Sequence, residues 1–330
     1  MYSASDGKKN LNIYILKILE DYSDENNLLT YKKIIEHLKS YGMFCDRHTV
    51  KNNLDALREV GYKIISTSKG SYLEKDSFND AELRILIDSV LFSKNVSQGD
   101  KKSLLEKLRG MANNYSKKKF SHVSDVSKLF NSENDEMLDA LDVINDAIKD
   151  GKKIQFIYNR YGTDFKLHPR REEPYKVSPY QLAVTNGRYY LIGNYDKYND
   201  LSHYRVDRIT GAKILNEPIK PKKQIEGLIQ GQFNLSDHMA EHIYMYSGES
   251  KYITFVADAE LMDELVDWFG KNFTVIKISE EKIRVKVKCN EHAMIFWALQ
   301  YGKHIVIEKP QTLIDSVKAI AKKIVADYEN

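Results

Sequence analysis

At 330 residues the chain is long enough for two or three domains. With 42% apolar and 29% charged residues it has the composition of an ordinary globular protein, and it contains no run of about eighteen apolar residues that would predict a membrane span. The net charge of +3 is unevenly distributed, because residues 151–225 carry 15 Lys and Arg but 7 Asp and Glu, and this excess predicts an anionic partner.

The two cysteines, Cys45 and Cys289, are far apart and isolated. They form neither a disulfide framework nor a Cys-x-x-Cys zinc pair, which is typical of a reducing compartment. The amino-terminal segment MYSASDGKKNLNIYILKIL lacks the charged, apolar and small-residue pattern of a secretion signal. We therefore expect a cytoplasmic protein.

Residues 1–76 have the pattern of a winged helix-turn-helix domain. Apolar spacing and capping residues predict three helices, in LNIYILKILEDY, in YKKIIEHLKSYG after Thr30 and in RHTVKNNLDALREVG after Asp46. The segment YKIISTSKGSYLEK alternates around a Ser-Lys-Gly-Ser turn and predicts a β-hairpin. Three helices followed by a two-stranded wing is the order of a winged helix-turn-helix.

The third predicted helix has a polar face suited to DNA. Val50, Leu54 and Leu57 form its buried stripe. Arginine and asparagine make paired hydrogen bonds to guanine and adenine, whereas lysine suits phosphate. The predicted DNA contacts, from this helix and from the hairpin turn, are Arg47, His48, Thr49, Lys51, Asn52, Ser68 and Lys69. The alternative is a three-helix domain whose polar face contacts only solvent, and the nearly balanced charge of the segment favours that alternative.

Residues 77–150 are predicted to form a helical connector. Helices are expected in AELRILIDSVLFSK, KSLLEKLRGMANNYSKK and DEMLDALDVINDAIKDG, with a polar loop near residues 116–134. In this interpretation the helices join domains and support dimerisation.

Residues 151–220 change to short alternating segments. Four or five antiparallel strands are predicted in KKIQFIYNR, DFKLHPRREEPYKVSP, YQLAVTNGRYYLIGNY and LSHYRVDRI, and Asn186-Gly187 is a strong hairpin signal. This pattern predicts a small β-barrel of the SH3 or Sm type.

Residues 221–330 are predicted to form a compact α+β module. The strands KYITFVAD, FTVIKIS, KIRVKVKCN and HIVIEKP alternate with the helices ELMDELVDWFGKN, EHAMIFWALQYG and LIDSVKAIAKKIVADY in a ferredoxin-like order. The predicted fold class is therefore multidomain α+β.

With these segments in place, the sequence resembles the bacterial WYL-domain transcriptional regulators. The triplet that names the family corresponds to Tyr189-Tyr190-Leu191, with tyrosine in place of the usual tryptophan, and VSPYQL, HYRVDRI and WALQYGKHIVIEKP are also typical. The resemblance covers nearly the whole chain, including a C-terminal extension of the WCX type. It implies a homodimeric DNA-binding regulator whose WYL barrel senses a nucleotide or short nucleic acid, with no cofactor.

The barrel segment also supplies candidate ligand contacts. Arginine binds phosphate through paired hydrogen-bond donors, and tyrosine rings stack on bases. The predicted ligand-binding residues are Tyr158, Ser178, Tyr180, Tyr190, His203, Arg205 and Arg208. Alternatively, the tyrosines belong to the core and Arg208 pairs with Asp207 or another carboxylate. In the ligand-binding reading, replacing both Arg205 and Arg208 with Ala should abolish the ligand response without disturbing the fold.

Enzyme functions are not predicted, because none of the common nucleotide-binding, metalloprotease or hydrolase motifs occurs. His238 and His242 have helical spacing with Glu241 between them, but no third ligand of matching spacing follows, and two surface histidines are the expectation. The predicted function is a ligand-responsive, dimeric transcriptional regulator that binds operator DNA. The alternatives are a nucleic-acid-binding accessory of a CRISPR or phage-defence system that acts on RNA or single strands, and an enzyme acting on nucleotides.

Overall fold

The computed structural model describes residues 10–74, 78–112, 114, 132–226, 228 and 233–329. The chain divides into two compact units, the first made of Met1–Phe92 with Gln98–Phe130 and the second of Ser93–Ser97 with Asn131–Asn330. Most of the polar loop predicted near residues 116–134 lies outside the described residues. No helix of the described part is long and apolar enough to cross a membrane.

The first unit begins with the three helices and the hairpin that the sequence predicts. They are α1 (Leu11–Tyr22), α2 (Tyr31–Ser40), α3 (Arg47–Glu59), β1 (Ile64–Thr67) and β2 (Gly70–Leu73). Both predicted caps are present: the Thr30 hydroxyl accepts a hydrogen bond from the Lys33 N–H, and the Asp46 carboxylate accepts one from the Thr49 N–H. These contacts satisfy backbone donors that the first helical turn leaves unpaired.

The apolar stripes of α1, α2 and α3 meet in one core with the hairpin. Ile15, Ile34 and Val50 are fully buried in it, and Leu54 nearly so. The hairpin is held near its turn because Leu29 pairs with Ser71. Gly70, with a φ of +147°, lies so close to this pair that a Cβ there would be 2.8 Å from the Leu29 carbonyl oxygen. Only glycine fits this position without strain.

Two further helices of the first unit are α4 (Asp80–Leu91) and α5 (Gln98–Gly110). A capping box between Asn79 and Glu82 begins α4. Leu83, Ile87 and Leu105 form a small apolar cluster between the two helices, as expected from their helical spacing.

The second unit contains a curled six-stranded sheet with a helix packed against it. Its elements are α6 (Met137–Asp150), β3 (Lys152–Tyr161), β4 (Leu167–Pro169), β5 (Tyr175–Thr185), β6 (Arg188–Tyr195), β7 (Ser202–Arg205), a 3-10 turn (Val206–Arg208) and β8 (Ile209–Pro218). The strand order is β4-β3-β5-β6-β7, and β8 also pairs with β3. Because β3 pairs with three strands, the sheet curls around a core that Ile144 of α6 shares with Phe156 and Leu191.

The hairpin between β5 and β6 confirms the predicted Asn-Gly turn. Asn186 and Gly187 have φ values of +50° and +68°, as a tight two-residue hairpin turn of type I′ requires. Both faces of β6 are covered, since Leu191 packs inside the curled sheet and Ile192 packs against a second cluster that includes Ile225 and Met245. The predicted alternation of buried and exposed residues therefore does not hold along this strand.

The rest of the second unit has the predicted order of strands and helices, preceded by one helix that the sequence did not predict. Its elements are α7 (Leu235–Glu241), β9 (Ser250–Asp258), α8 (Met262–Phe269), β10 (Phe273–Lys277), β11 (Lys282–Asn290), α9 (Glu291–Gln300), β12 (Ile305–Lys309) and α10 (Gln311–Glu329). The strands form an antiparallel sheet in the order β10-β11-β9-β12. Every second residue of β11 is buried, and these residues join Phe255, Phe269 and Trp297 in the core.

Candidate functional site

A groove in the first unit lies between the hairpin and the first turns of α2 and α3. Its volume is about 470 Å³, and its walls include Arg47, Ser68 and Lys69 from the predicted DNA contacts, together with Lys32. The guanidinium of Arg47 lies 5.1 Å above the centre of the Tyr31 ring. Two helix N-termini and three basic side chains make this groove favourable for phosphate.

The other predicted DNA contacts lie on the outer surface of α3. His48, Lys51 and Asn52 are exposed and Thr49 is half-buried. Their placement leaves the polar face of α3 free to meet a partner. Further along this helix, Asp55 forms an ion pair with Arg58, so its carboxylate is already partly neutralised.

A cleft of about 320 Å³ opens in the second unit at the end of β7. It brings together four of the predicted ligand residues, Tyr158, Tyr190, His203 and Arg205. The complete lining is Tyr158, Arg170, Tyr175, Tyr190, Ser202, His203, Tyr204, Arg205, Tyr244, Met245, Tyr246 and Ser247. The wall is therefore rich in phenol rings and carries two guanidinium groups.

Tyrosine rings beneath the cleft also form the core of the curled sheet. The rings of Tyr158 and Tyr204 meet edge to face with centroids 5.2 Å apart, and Tyr175 packs within 5.9 Å of both. Burial raises the pKa of Tyr158 and of Tyr204 above the ordinary value. These phenols stay neutral at physiological pH, so they can donate hydrogen bonds to an anion, and for Tyr158 the core and ligand-binding interpretations are compatible.

Arg205 is fixed in place by the buried carboxylate of Asp207. Its Nε and Nη2 donate to the two carboxylate oxygens of Asp207 over 3.0 and 2.6 Å. Arg188 donates to the same carboxylate over 3.2 Å. Burial alone would lower the pKa of Arg205, but the hydrogen bond and negative charge of Asp207 raise it. The pKa of Arg188 is lowered by burial and by the positive charge of Arg205.

Strand β7 ends at Arg205, and a 3-10 turn carries the chain on through Arg208. The side chain of Arg208 does not line the cleft. Its Nε is buried and has no hydrogen-bond partner among the described residues. The alternative in which Arg208 pairs with Asp207 is wrong, because Arg205 and Arg188 occupy that carboxylate.

Ser178 and Tyr180 lie outside the cleft lining. The Ser178 hydroxyl accepts a hydrogen bond from the Lys220 N–H, and the Tyr180 hydroxyl donates to the Lys220 carbonyl over 2.7 Å. Both side chains are buried, and their contacts fix the chain after β8. The structure thus gives them a packing position and not a place in the predicted ligand site.

Comparison with known proteins identifies this part of the chain. Residues 139–214 match the family model of the WYL domain. The chain contains a WYL domain. The match begins within α6, so the WYL domain includes most of a helix that was predicted to belong to the connector.

No curated protein matches the chain. Among solved structures, the chain is similar to proteasome accessory factor B/C (PafBC) of Arthrobacter aurescens, with 14% sequence identity and a TM-score of 0.29. The alignment covers 98% of this chain and 49% of that one. The chain therefore spans about half the length of this solved chain.

Several cleft residues were not predicted from the sequence. The guanidinium of Arg170 lies 5.1 Å above the Tyr158 ring, and it follows β4, where no strand alternation points to a site. Tyr244, Tyr246 and Ser247 come from the segment after α7, beyond the matched WYL residues. They lie outside the predicted barrel segment, whose pattern therefore does not indicate them.

His238 of α7 and His242, which follows the helix directly, are not surface residues, and that expectation is wrong. His242 is 7% exposed, and its ring stacks on the ring of His238 with centroids 4.1 Å apart. The Nε2 atom of His203, on β7 of the WYL domain, lies 2.7 Å from Nε2 of His238. The third histidine missing from the sequence pattern is therefore supplied by another strand.

Proposed function

We propose that the chain is a DNA-binding transcriptional regulator whose WYL domain binds a nucleotide or a short single-stranded nucleic acid. The observation that carries this proposal is the cleft, where Arg170 and Arg205 lie beside the rings of Tyr158 and Tyr190. Guanidinium groups bind phosphate through charge-assisted hydrogen bonds, and each tyrosine ring that stacks on a base contributes about 1–3 kcal/mol. The cleft is proposed to sense a ligand without catalysing a reaction.

The size of the cleft limits how much of the ligand it takes. Its volume of about 320 Å³ is near the lower end of small-molecule sites, which span about 300–1,000 Å³. One nucleotide unit fills such a space. A longer strand would then extend over the surface, with one phosphate and one base held in the cleft.

Arg170 provides the most direct test of ligand binding. It is exposed, and no carboxylate of the described residues forms an ion pair with it, so Arg170→Ala leaves the buried pairs intact. We expect the affinity for a fluorescently labelled short oligonucleotide, measured by polarisation, to fall by about tenfold, since one charge-assisted hydrogen bond contributes about 1.5–3 kcal/mol. Arg109→Ala removes an exposed arginine from α5 and serves as the matched control. If the wild type and Arg170→Ala bound the oligonucleotide with equal affinity, the cleft would not be its binding site.

The first unit is proposed to bind duplex DNA through α3 and the hairpin. Support comes from the exposed His48, Lys51 and Asn52 on α3 and from the basic groove beside Lys69. In gel shifts with the promoter region of its own gene, Lys69→Ala should reduce the slope of log K against log salt by about one, because one phosphate contact is lost. Lys102→Ala, at an exposed position of α5, should leave that slope unchanged.

The same experiment separates the regulator from the accessory protein of an RNA-guided or phage-defence system. A regulator binds duplex promoter DNA more tightly than single-stranded RNA of equal length. The reverse preference would support the accessory function. In the regulator proposal, a homodimer doubles the phosphate contacts, and binding of the ligand changes operator affinity by its differential affinity for two arrangements of the dimer. Light scattering of the purified chain measures the oligomeric state.

A further inference from the structure

Three imidazole rings meet beside the cleft, where the WYL domain contacts α7. The ring centroid of His203 lies 5.0 Å from that of His238 and 5.2 Å from that of His242. The rings of His238 and His242 stack at 4.1 Å. Among the described residues the three rings are in contact, and the close nitrogen pair between them is His203 Nε2 and His238 Nε2, whereas the nitrogens of all three do not lie within 4.8 Å of one another.

Contacts of the Nδ1 atoms orient two of these rings. The Nδ1 of His203 lies 3.3 Å from the Ser247 hydroxyl, and the Nδ1 of His242 donates to the His238 carbonyl over 3.0 Å. Histidines that bind metals usually engage their second ring nitrogen in such a hydrogen bond. In the present arrangement, Nε2 of His203 faces Nε2 of His238 at 2.7 Å, which is the distance of an N–H···N hydrogen bond.

The environment of the cluster favours neutral rings. Burial lowers the pKa of His203 well below its ordinary value and that of His238 to about 3, and the other histidines of the cluster add to both shifts. The pKa of His242 is also lowered by burial, although the carbonyls of His238 and Gly248 oppose this. Neutral imidazole is the form that binds metal ions.

We propose that His203, His238 and His242 form a binding site for one divalent transition-metal ion, with zinc as the best fit. Three histidines are a recurrent zinc ligand set, and imidazole also suits Ni²⁺ and Co²⁺. At a Zn–N distance of about 2.0–2.1 Å, tetrahedral coordination separates two ligand nitrogens by about 3.3 Å. The 2.7 Å pair of His203 and His238 needs to open by only about 0.6 Å, whereas the His242 ring must turn toward the other two.

Another cluster already has its donor atoms within 4.8 Å of one another, and it consists of Asp258, Glu260 and His304. It is less suited to a metal ion because the Lys282 ammonium already forms an ion pair with Asp258. The Glu260 side chain is 77% exposed, so holding it in place costs conformational entropy. By contrast, no ion pair of the described residues forms within the histidine cluster, and the Lys288 ammonium near His242 is paired with Glu241 over 3.0 Å.

The metal would link β7 of the WYL domain to the end of α7, and β7 ends thirty residues before α7 begins. His203 also lines the cleft, so the metal ion could reach the site from solvent through the cleft. The metal ion and the cleft ligand would then both contact His203. The proposal does not depend on what the cleft binds, since it rests on the three rings alone.

The test uses the full chain without a polyhistidine tag, stripped of metal with a chelator. Zinc is then added in a calorimeter, and Co²⁺ is added separately to read the visible absorption of tetrahedral coordination. We expect one ion per chain, a tetrahedral Co²⁺ spectrum, and a rise in melting temperature on adding zinc. His238→Ala and, as a milder change, His203→Gln should each weaken zinc binding by more than about 100-fold.

His304→Ala is the matched control, because it removes a histidine from the carboxylate cluster of the same unit, and it should leave zinc affinity unchanged. Circular dichroism of each apo variant separates lost binding from lost folding. Three results would overturn the proposal: no binding by the wild type, binding that survives in folded His238→Ala and His203→Gln, or binding that His304→Ala abolishes.

Discussion

Replacing Asp207 with Asn should lower stability and raise anion affinity at the same time. The Asp207 side chain is 2% exposed, and it accepts two hydrogen bonds from Arg205 and one from Arg188. Removing one partner of a buried ion pair costs about 3–5 kcal/mol when the remaining charge stays dry. Here the arginine side chains are 17% and 29% exposed and can take up water, so a loss of about 2–3 kcal/mol is expected.

The expected shift is large enough to measure by urea unfolding. With an m-value of about 2–3 kcal/mol/M, the unfolding midpoint of Asp207→Asn should fall by about 1 M. Near-ultraviolet circular dichroism is a suitable signal, because the packed tyrosines of the WYL domain lie next to this ion pair. Asp196→Asn is the control: Asp196 pairs with Lys153 at a more solvated position, and its loss should cost at most about 1 kcal/mol.

The same substitution removes the negative charge that neutralises Arg205, which lines the cleft. A unit charge removed about 7 Å from a bound phosphate, at an effective dielectric constant of about 40, changes its energy by about 1 kcal/mol. Oligonucleotide affinity at low salt should therefore rise by about fivefold. Unchanged stability would refute the assignment of Asp207 as a buried counter-ion, and unchanged affinity alongside reduced stability would show that Arg205 does not contact the ligand.

Three further predictions concern packing. The Cys289 thiol, whose pKa burial raises to about 12, should react with a disulfide reagent only after unfolding, whereas half-buried Cys45 should react in the native chain. Burial also raises the pKa of Tyr180 to about 12. The neutral phenol therefore stabilises the fold fully below about pH 10, and this stabilisation is lost as the pH rises to 12. In alkaline unfolding experiments, the difference in unfolding free energy between the wild type and Tyr180→Phe should shrink over that interval. Gly70→Ala should destabilise the first unit by more than about 1 kcal/mol in thermal unfolding, because its Cβ would press on the Leu29 carbonyl.

Local sequence patterns predicted most of the helices and strands, whereas the composition of the cleft and of the histidine cluster depends on tertiary contacts. The Thr30 and Asp46 caps and the Asn186-Gly187 turn act within three residues along the chain, so sequence alone was enough to place them. The cleft joins Tyr158 to Tyr246, and the histidine cluster joins a strand to a later helix. No spacing rule connects such distant positions, and for this reason Tyr246 was missed and His238 was assigned to the surface.

The ion pair also changes the expectation for the arginines. Replacing both Arg205 and Arg208 with Ala was expected to leave the fold intact. Because Arg205 is the main partner of a buried carboxylate, its removal leaves a charge in a dry environment and should destabilise the WYL domain. The double variant cannot separate ligand binding from folding, whereas Arg170→Ala can.

The contacts of Tyr158 explain why ligand binding in this cleft should require little rearrangement. Its hydroxyl accepts the Arg205 N–H over 3.1 Å, which fixes the end of β7, and Arg170 lies above its ring. Arg205 is in turn held by Asp207. Immobilising a flexible side chain on binding costs about 0.5–1.5 kcal/mol. Tyr158 and Arg205 are already ordered in the folded protein, so binding does not immobilise them further. Arg170 is still able to move toward the ligand. Binding should therefore order Arg170 more than any residue of β7, and a ligand complex in which the β7 end moves while Arg170 stays in place would contradict this account.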